Sequence, residues 1–189
     1  MYKEKYKKYK LKYLNLKGQI GGVISEEDIT KYQNEEHVIV PEIPDIDDLG
    51  IFVYLKINEN LKKLTFTNIR QIIEKIENET NFKTAIYNLL EQTNVTHIIL
   101  SGSNDSKIEN EHLKTLATVL SYYKNVTHID LTNNQFNIID LYKFIRYLRV
   151  YDFNHTLNVT MSNPIDFNEN KIDALKKNAL EKNIVFTFI

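Results

Sequence analysis

The chain has no cysteine and no tryptophan, and only three prolines and five glycines in 189 residues. The lack of cysteine excludes disulfides and thiolate zinc sites, and suits a reducing compartment. No apolar run approaches the ~20 residues of a bilayer-spanning helix, and the basic start of the sequence lacks the apolar stretch of a secretory signal. There is no Gly-rich phosphate loop, no nucleophile elbow, no HExxH pair and no kinase-type set of motifs, so the reading is that the chain is not an enzyme and holds no cofactor or metal. With 42% apolar and 26% charged residues, it has the composition of a globular domain with a real core.

The net charge of −1 conceals a sharp segregation. Residues 1–17 carry seven lysines against Glu4 alone, and residues 25–48 carry nine acids against Lys31. Beyond Gly50 the charge is nearly balanced. Three regions follow: a basic Tyr/Lys helical leader over 1–22, an acidic linker over 23–50 containing Pro41 and Pro44, and a repeat domain over 51–189. Within the linker, Val38-Ile39-Val40 is a short apolar stretch able to dock on the domain.

In the leader, Tyr2, Tyr6, Tyr9, Tyr13, Leu16 and Ile20 follow the heptad spacing of one helical stripe, and Gly18 and Gly21-Gly22 stop the helix. A helix this short with so many like charges is marginal alone. Three readings stay open: a solvated tail, docking on another helix or an acidic surface (as in a coiled coil), or binding to the phosphates of nucleic acid or an anionic membrane face.

Residues 94–100 read Asn-Val-Thr-His-Ile-Ile-Leu and residues 125–131 read Asn-Val-Thr-His-Ile-Asp-Leu, six of seven identical. A near-copy at that period marks stacked repeats. Leu61-x-x-Leu64-x-Phe66 fits the same frame upstream, and Leu157-x-Val159 fits it more loosely downstream, taking Leu64, Ile98, Ile129 and Leu157 as equivalents. Helical stripes follow each strand: Ile69, Ile72, Ile73 and Ile76, then Phe82, Ala85, Ile86, Leu89 and Leu90; Leu113, Leu116, Ala117 and Leu120; Leu141, Ile145 and Leu148; Ile172, Leu175 and Ala179. Residues 184–189 alternate as a closing strand. One unit cannot bury its apolar face alone, so stacking is expected to join Leu64, Phe66, Ile98, Leu100, Ile129, Leu131, Leu157 and Val159 into a continuous core.

Strand side chains alternate, which leaves Lys63, Thr65 and Thr67, His97, Ile99 and Ser101, His128, Asp130 and Thr132, and Thr156, Asn158 and Thr160 on the opposite face. His97 and His128 become neighbours in register. They and Asp130 could be read as a zinc cluster, but duplication of the heptapeptide already explains two histidines at one position, so a polar contact surface is the better reading. His37, His112 and His155 have no motif around them, and Glu109 and Glu111 open a helix, where the dipole explains them.

The frame L-x-x-L-x-L with a following Asn slot, occupied by Ser103 and Asn134 and, in the last unit, near Ser162-Asn163, resembles the ribonuclease-inhibitor type of leucine-rich repeat, also seen at the end of tropomodulin. The resemblance covers about residues 58–189. It implies an α/β fold, a short solenoid with parallel strands on one face and helices on the other, preceded by the N-terminal helix. It also implies a protein partner bound on the concave strand face, through Lys63, Thr65, His97, Ile99, Ser101, His128, Asp130, Thr132, Asn158 and Thr160. The leader, from Met1 to Gly22, resembles the Tyr/Lys leaders on unrelated proteins of mimivirus-type giant DNA viruses. That implies a viral product in the host cytoplasm, with carriage in the particle as a packaged or structural component as the alternative. Gly21-Gly22-Val23 is similar to the Gly-Gly-X sites cut by SUMO-protease-like viral enzymes.

Overall fold

Short runs in which every second residue is apolar form the strands, because only one face of each can be buried. The computed structural model describes residue 30 and residues 32–40, 52, 55–56, 58–92, 94–103, 107–120, 125–148 and 155–189. The leader helix, the cleavage-like Gly-Gly-Val and the acidic stretches at 23–29 and 41–50 lie outside the described residues.

Six strands form one all-parallel sheet: β1 (His37–Val40), β2 (Lys63–Phe66), β3 (His97–Ile99), β4 (His128–Leu131), β5 (Leu157–Met161) and β6 (Ile184–Phe188). Their spatial order is their chain order. Five α-helices are described: α1 (Ile69–Asn78), α2 (Thr80–Gln92), α3 (Leu113–Leu120), α4 (Ile138–Leu148) and α5 (Glu169–Leu180). Helix α3 packs on α4, and α4 on α5. Helices thus follow β2, β3, β4 and β5 before the next parallel strand, an arrangement compatible with an α/β solenoid.

The expected apolar spine is present. Leu64, Phe66, Ile98, Leu100, Ile129, Leu131, Leu157 and Val159 are all buried, joined by Val38, Val40, Met161, Ile184 and Phe186. The helical stripes Ile69/Ile72/Ile73/Ile76, Leu113/Leu116/Ala117/Leu120, Leu141/Ile145/Leu148 and Ile172/Leu175/Ala179 are buried against it. In the second stripe, Phe82, Ile86 and Leu89 are buried and Ala85 is half-buried. Asparagines start three of the helices. Asn68, Asn137 and Asn168 accept the backbone N–H of Gln71, Asp140 and Lys171, satisfying donors that the helix itself leaves without partners.

Two expectations need correction. First, Val38-Ile39-Val40, read as part of a linker able to dock, forms β1 with His37 and pairs with β2, so the sheet begins upstream of residue 51. Asn58 anchors this segment: buried, it donates through Nδ2 to the carbonyls of Tyr32 (2.9 Å) and Glu35 (2.8 Å). Second, the equivalent of Ile129 is Val159, not Leu157, which pairs instead with Ile184. The equivalents Leu64, Ile98, Ile129 and Val159 are therefore 34, 31 and 30 residues apart. Because β5 is buried at Leu157, Val159 and Met161, sequence alternation alone permits either register. Pairing decides between them. The slot that holds Asn134 is then filled in the next unit by buried Pro164 rather than by Ser162 or Asn163.

Asn134 shows why an amide belongs in that slot. Its Nδ2 donates to the carbonyls of Leu100 (2.8 Å), Leu131 (3.0 Å) and Thr132 (3.3 Å), and its Oδ1 accepts Ile108 N–H at 2.7 Å. One buried side chain thus satisfies the turns after two strands.

Candidate functional site

On the face of the sheet away from the helices, register sets two rows of side chains across the strands, and a third continues them along the chain. The first row is His37, Lys63, His97, His128, Asn158 and Val185 across β1 to β6. The second is Ile39, Thr65, Ile99, Asp130, Thr160 and Thr187. Thr67, Ser101, Thr132 and Ser162 continue along the chain as a third, hydroxyl row. Lys63, Thr65, Ile99, Ser101, Asp130, Thr132, Asn158 and Thr160 are half-buried, and Thr67, His97, His128 and Thr156 are exposed.

Several of these polar groups are already engaged. Ser101 Oγ lies 2.8 Å from Thr132 Oγ1 and 3.2 Å from Thr132 O. Asp130 Oδ1 accepts Thr132 N–H at 2.8 Å, and Asn158 Nδ2 donates to Thr127 O at 3.1 Å. Thr67 Oγ1 donates to Val40 O. The hydroxyl row therefore serves mainly to lock neighbouring strands together, and the first row is the more available.

Duplication of the Thr-His pair gives the first row its local geometry. His97 and His128 stack with ring centroids 4.3 Å apart and planes 2° from parallel. Thr96 Oγ1 lies 2.9 Å from His97 Nδ1 and 3.3 Å from Lys62 O. Thr127 Oγ1 lies 2.8 Å from His128 Nδ1 and 3.4 Å from Thr96 O. A carbonyl can only accept, so each hydroxyl hydrogen goes to the carbonyl, Nδ1–H donates to Oγ1, and Nε2 is the atom that takes up a further proton. Burial pushes the His97 imidazole below its usual range, helped by His128 and Lys63. His37 is also lowered, by burial and by Lys63, with Glu35 opposing; its Nε2 lies 2.9 Å from Thr65 Oγ1.

The sequence reading missed His37 and Ile39 at one end of this face, and Val185 and Thr187 at the other. For β6 the alternation at 184–189 was the available signal. For β1 only Val38 and Val40 mark the strand, inside an acidic, proline-containing run. The other two histidines hold backbone together. His112 is buried and its Nδ1 accepts Glu109 N–H at 3.1 Å, and His155 Nε2 lies 2.6 Å from Val126 O.

Among the described residues no group of three or more His, Asp or Glu side chains is placed to hold a metal ion. Nor is any helix among them long and apolar enough to cross a membrane. A half-open hollow of about 260 Å³ on the helical side lies between Asn110–Lys114 and α4. The ion pair Lys143–Asp140 (2.6 Å) occupies part of its lining. No protein-family model matches the chain, and a search of curated proteins finds no match.

Proposed function

We propose that the protein is a non-catalytic protein–protein interaction module, a short leucine-rich-repeat solenoid similar to the ribonuclease-inhibitor type, whose open strand face is its concave contact surface. The observation that supports this reading is the register. It sets eight of the expected contact residues, from Lys63 to Thr160, in two rows on a face that no described helix covers, while the alternate side chains are buried on the helical side. A stacked fold of this kind spends its apolar residues on the spine, and its open strand face is a broad surface rather than a cleft. The amide network of Asn134 supports the repeat type.

With the Tyr/Lys leader, the same reading makes this a giant-virus product acting in the host cytoplasm. The segregation of seven lysines into residues 1–17 favours one alternative, a packaged virion component that docks through its leader.

Affinity capture from infected cells tests both. Partners recovered by the wild-type chain are expected to be lost from His128→Ala/Asp130→Ala and retained by Lys171→Ala/Asp173→Ala on the exposed side of α5. Equal recovery by all three would remove the strand face from consideration. Loss of packaging on deletion of residues 1–22, with capture intact, would assign docking to the leader.

A further inference from the structure

One cation-capable side chain stands on each of four successive strands in a single register row: His37, Lys63, His97 and His128. Parallel strands lie ~4.8 Å apart, so the row is about 14 Å long. Lys63 has no ion-pair partner among the described residues. Asp130, its Oδ1 bound to Thr132 N–H, is the single acid on the second row. Glu35 and Glu36, both exposed, flank the head of β1. Asn158 ends the polar part of the row without charge, and β5 brings no titratable group to it. With its histidines neutral the face on β1 to β4 balances Lys63 against Asp130, and it becomes electropositive as the histidines take up protons.

We propose that this row seats an acidic helix of a partner protein, carrying carboxylates one turn apart, and that seating it draws a proton onto the stacked His97–His128 pair. The proposal rests on the reading of the open strand face as the contact surface and names the chemistry that face recognises. Dimensions select the helix. Its turn of 5.4 Å against a strand spacing of ~4.8 Å accumulates a mismatch of only about 2 Å over the row. An extended peptide, with same-side side chains about 6.6 Å apart, drifts by about 5 Å over the same three intervals. A helix laid across the strands also places its flanks over Thr65 and Ile99, which ask for small or apolar neighbours.

Protonation is linked to seating. In the free protein, burial, the stacked partner ring and Lys63 all oppose a charge on His97. A carboxylate placed opposite Nε2 reverses that balance. Nδ1 of each ring is already tied to Thr96 or Thr127, so the incoming proton goes to Nε2 without the ring having to turn. Affinity must then climb as pH falls through the histidine range, until the partner's own carboxylates begin to protonate near about pH 4.3.

The test is fluorescence anisotropy on the full chain at constant ionic strength, with a labelled alanine-based helical peptide bearing Glu at positions i, i+4, i+7 and i+11, which form a single stripe. Binding is expected to be about tenfold tighter near pH 5.8 than near pH 7.8. His97→Gln/His128→Gln should abolish most of that gain, Lys63→Gln should weaken binding at both pH values, and a peptide with Lys in place of Glu should not bind. Circular dichroism of each variant establishes that it is folded. A flat pH response, or a gain that survives in the double variant, overturns the proposal. So does tighter, equally histidine-dependent binding of a U12 oligonucleotide, which would give the row to phosphates. If Thr132→Ala/Thr160→Ala abolishes partner capture while the Glu peptide ignores the histidines, the contact-surface reading stands and the acidic-helix assignment falls.

Discussion

His97 and His128 occupy equivalent positions on β3 and β4 and stack face to face, 4.3 Å between centroids. Two imidazolium rings at that distance repel, so the stack is most favourable when at least one ring is neutral. A base whose folded pKa is lowered binds more protons unfolded than folded at intermediate pH. Stability from His97 is therefore fully present above the ordinary histidine value of about 6.5 and is lost as pH falls through the lowered folded value. The difference in unfolding free energy between wild type and His97→Gln, from urea titrations at steps between about pH 8 and pH 5, should fall with acidity. A constant difference would show that the stack has no proton linkage.

Asn134 should be the least replaceable polar residue of the fold. Asn134→Ala removes one donor from each of three carbonyls, of which Thr132 O keeps Gly102 N–H, and leaves the Ile108 N–H without its acceptor. A buried donor left unsatisfied adds its desolvation cost to the lost bonds, so about 2–4 kcal/mol of destabilisation is expected from denaturant unfolding. Hydrogen exchange gives a local readout: the Ile108 amide should lose protection more than the amides of β6.

Gly102 is required by space rather than by an unusual backbone angle. A Cβ there would lie 2.5 Å from Asn133 O and 2.8 Å from Asn134 Oδ1. The first is backbone of the adjacent turn, where Asn133 itself holds φ at 60°. Gly102→Ala is therefore expected to cost about 1–3 kcal/mol through displacement of that turn. Ser103→Ala, one residue on and exposed, should be close to neutral in the same thermal or urea measurement.

Val38 tests whether β1 belongs to the core. It is fully buried and paired in register with Leu64. Val38→Ala should lower stability by about 2 kcal/mol, and Val38→Asp by more, because the charge has no partner there. Ile39→Ala, on the open side and 49% exposed, should change it little. Equal effects at the two positions would mean that β1 adds nothing to the fold's stability.

Much of this was legible in the residues. The duplicated heptapeptide gave the neighbouring histidines, and the helical stripes gave the buried faces of α1, α3, α4 and α5, because burial periodicity is a local property of the chain. β1 was not legible. Two apolar residues beside Pro41 and nine acids carry too little pattern, and the strand exists because β2 offers an edge and Asn58 holds the preceding turn. The fourth equivalent was misplaced by two residues because Leu157, Val159 and Met161 all satisfy the alternation. A shift of two preserves which side is apolar and changes only which residues pair.

The sequence by itself therefore determined the repeated strand-and-helix units, the apolar spine and the identity of the outward side chains, since each follows from spacing along the chain. Only the tertiary structure decided where the sheet begins, which residues of β5 face β4, and that Pro164 stands where the preceding unit has Asn134. Those features depend on hydrogen-bond register between strands about thirty residues apart, and a period of two along one strand leaves that register free until its neighbour is in place.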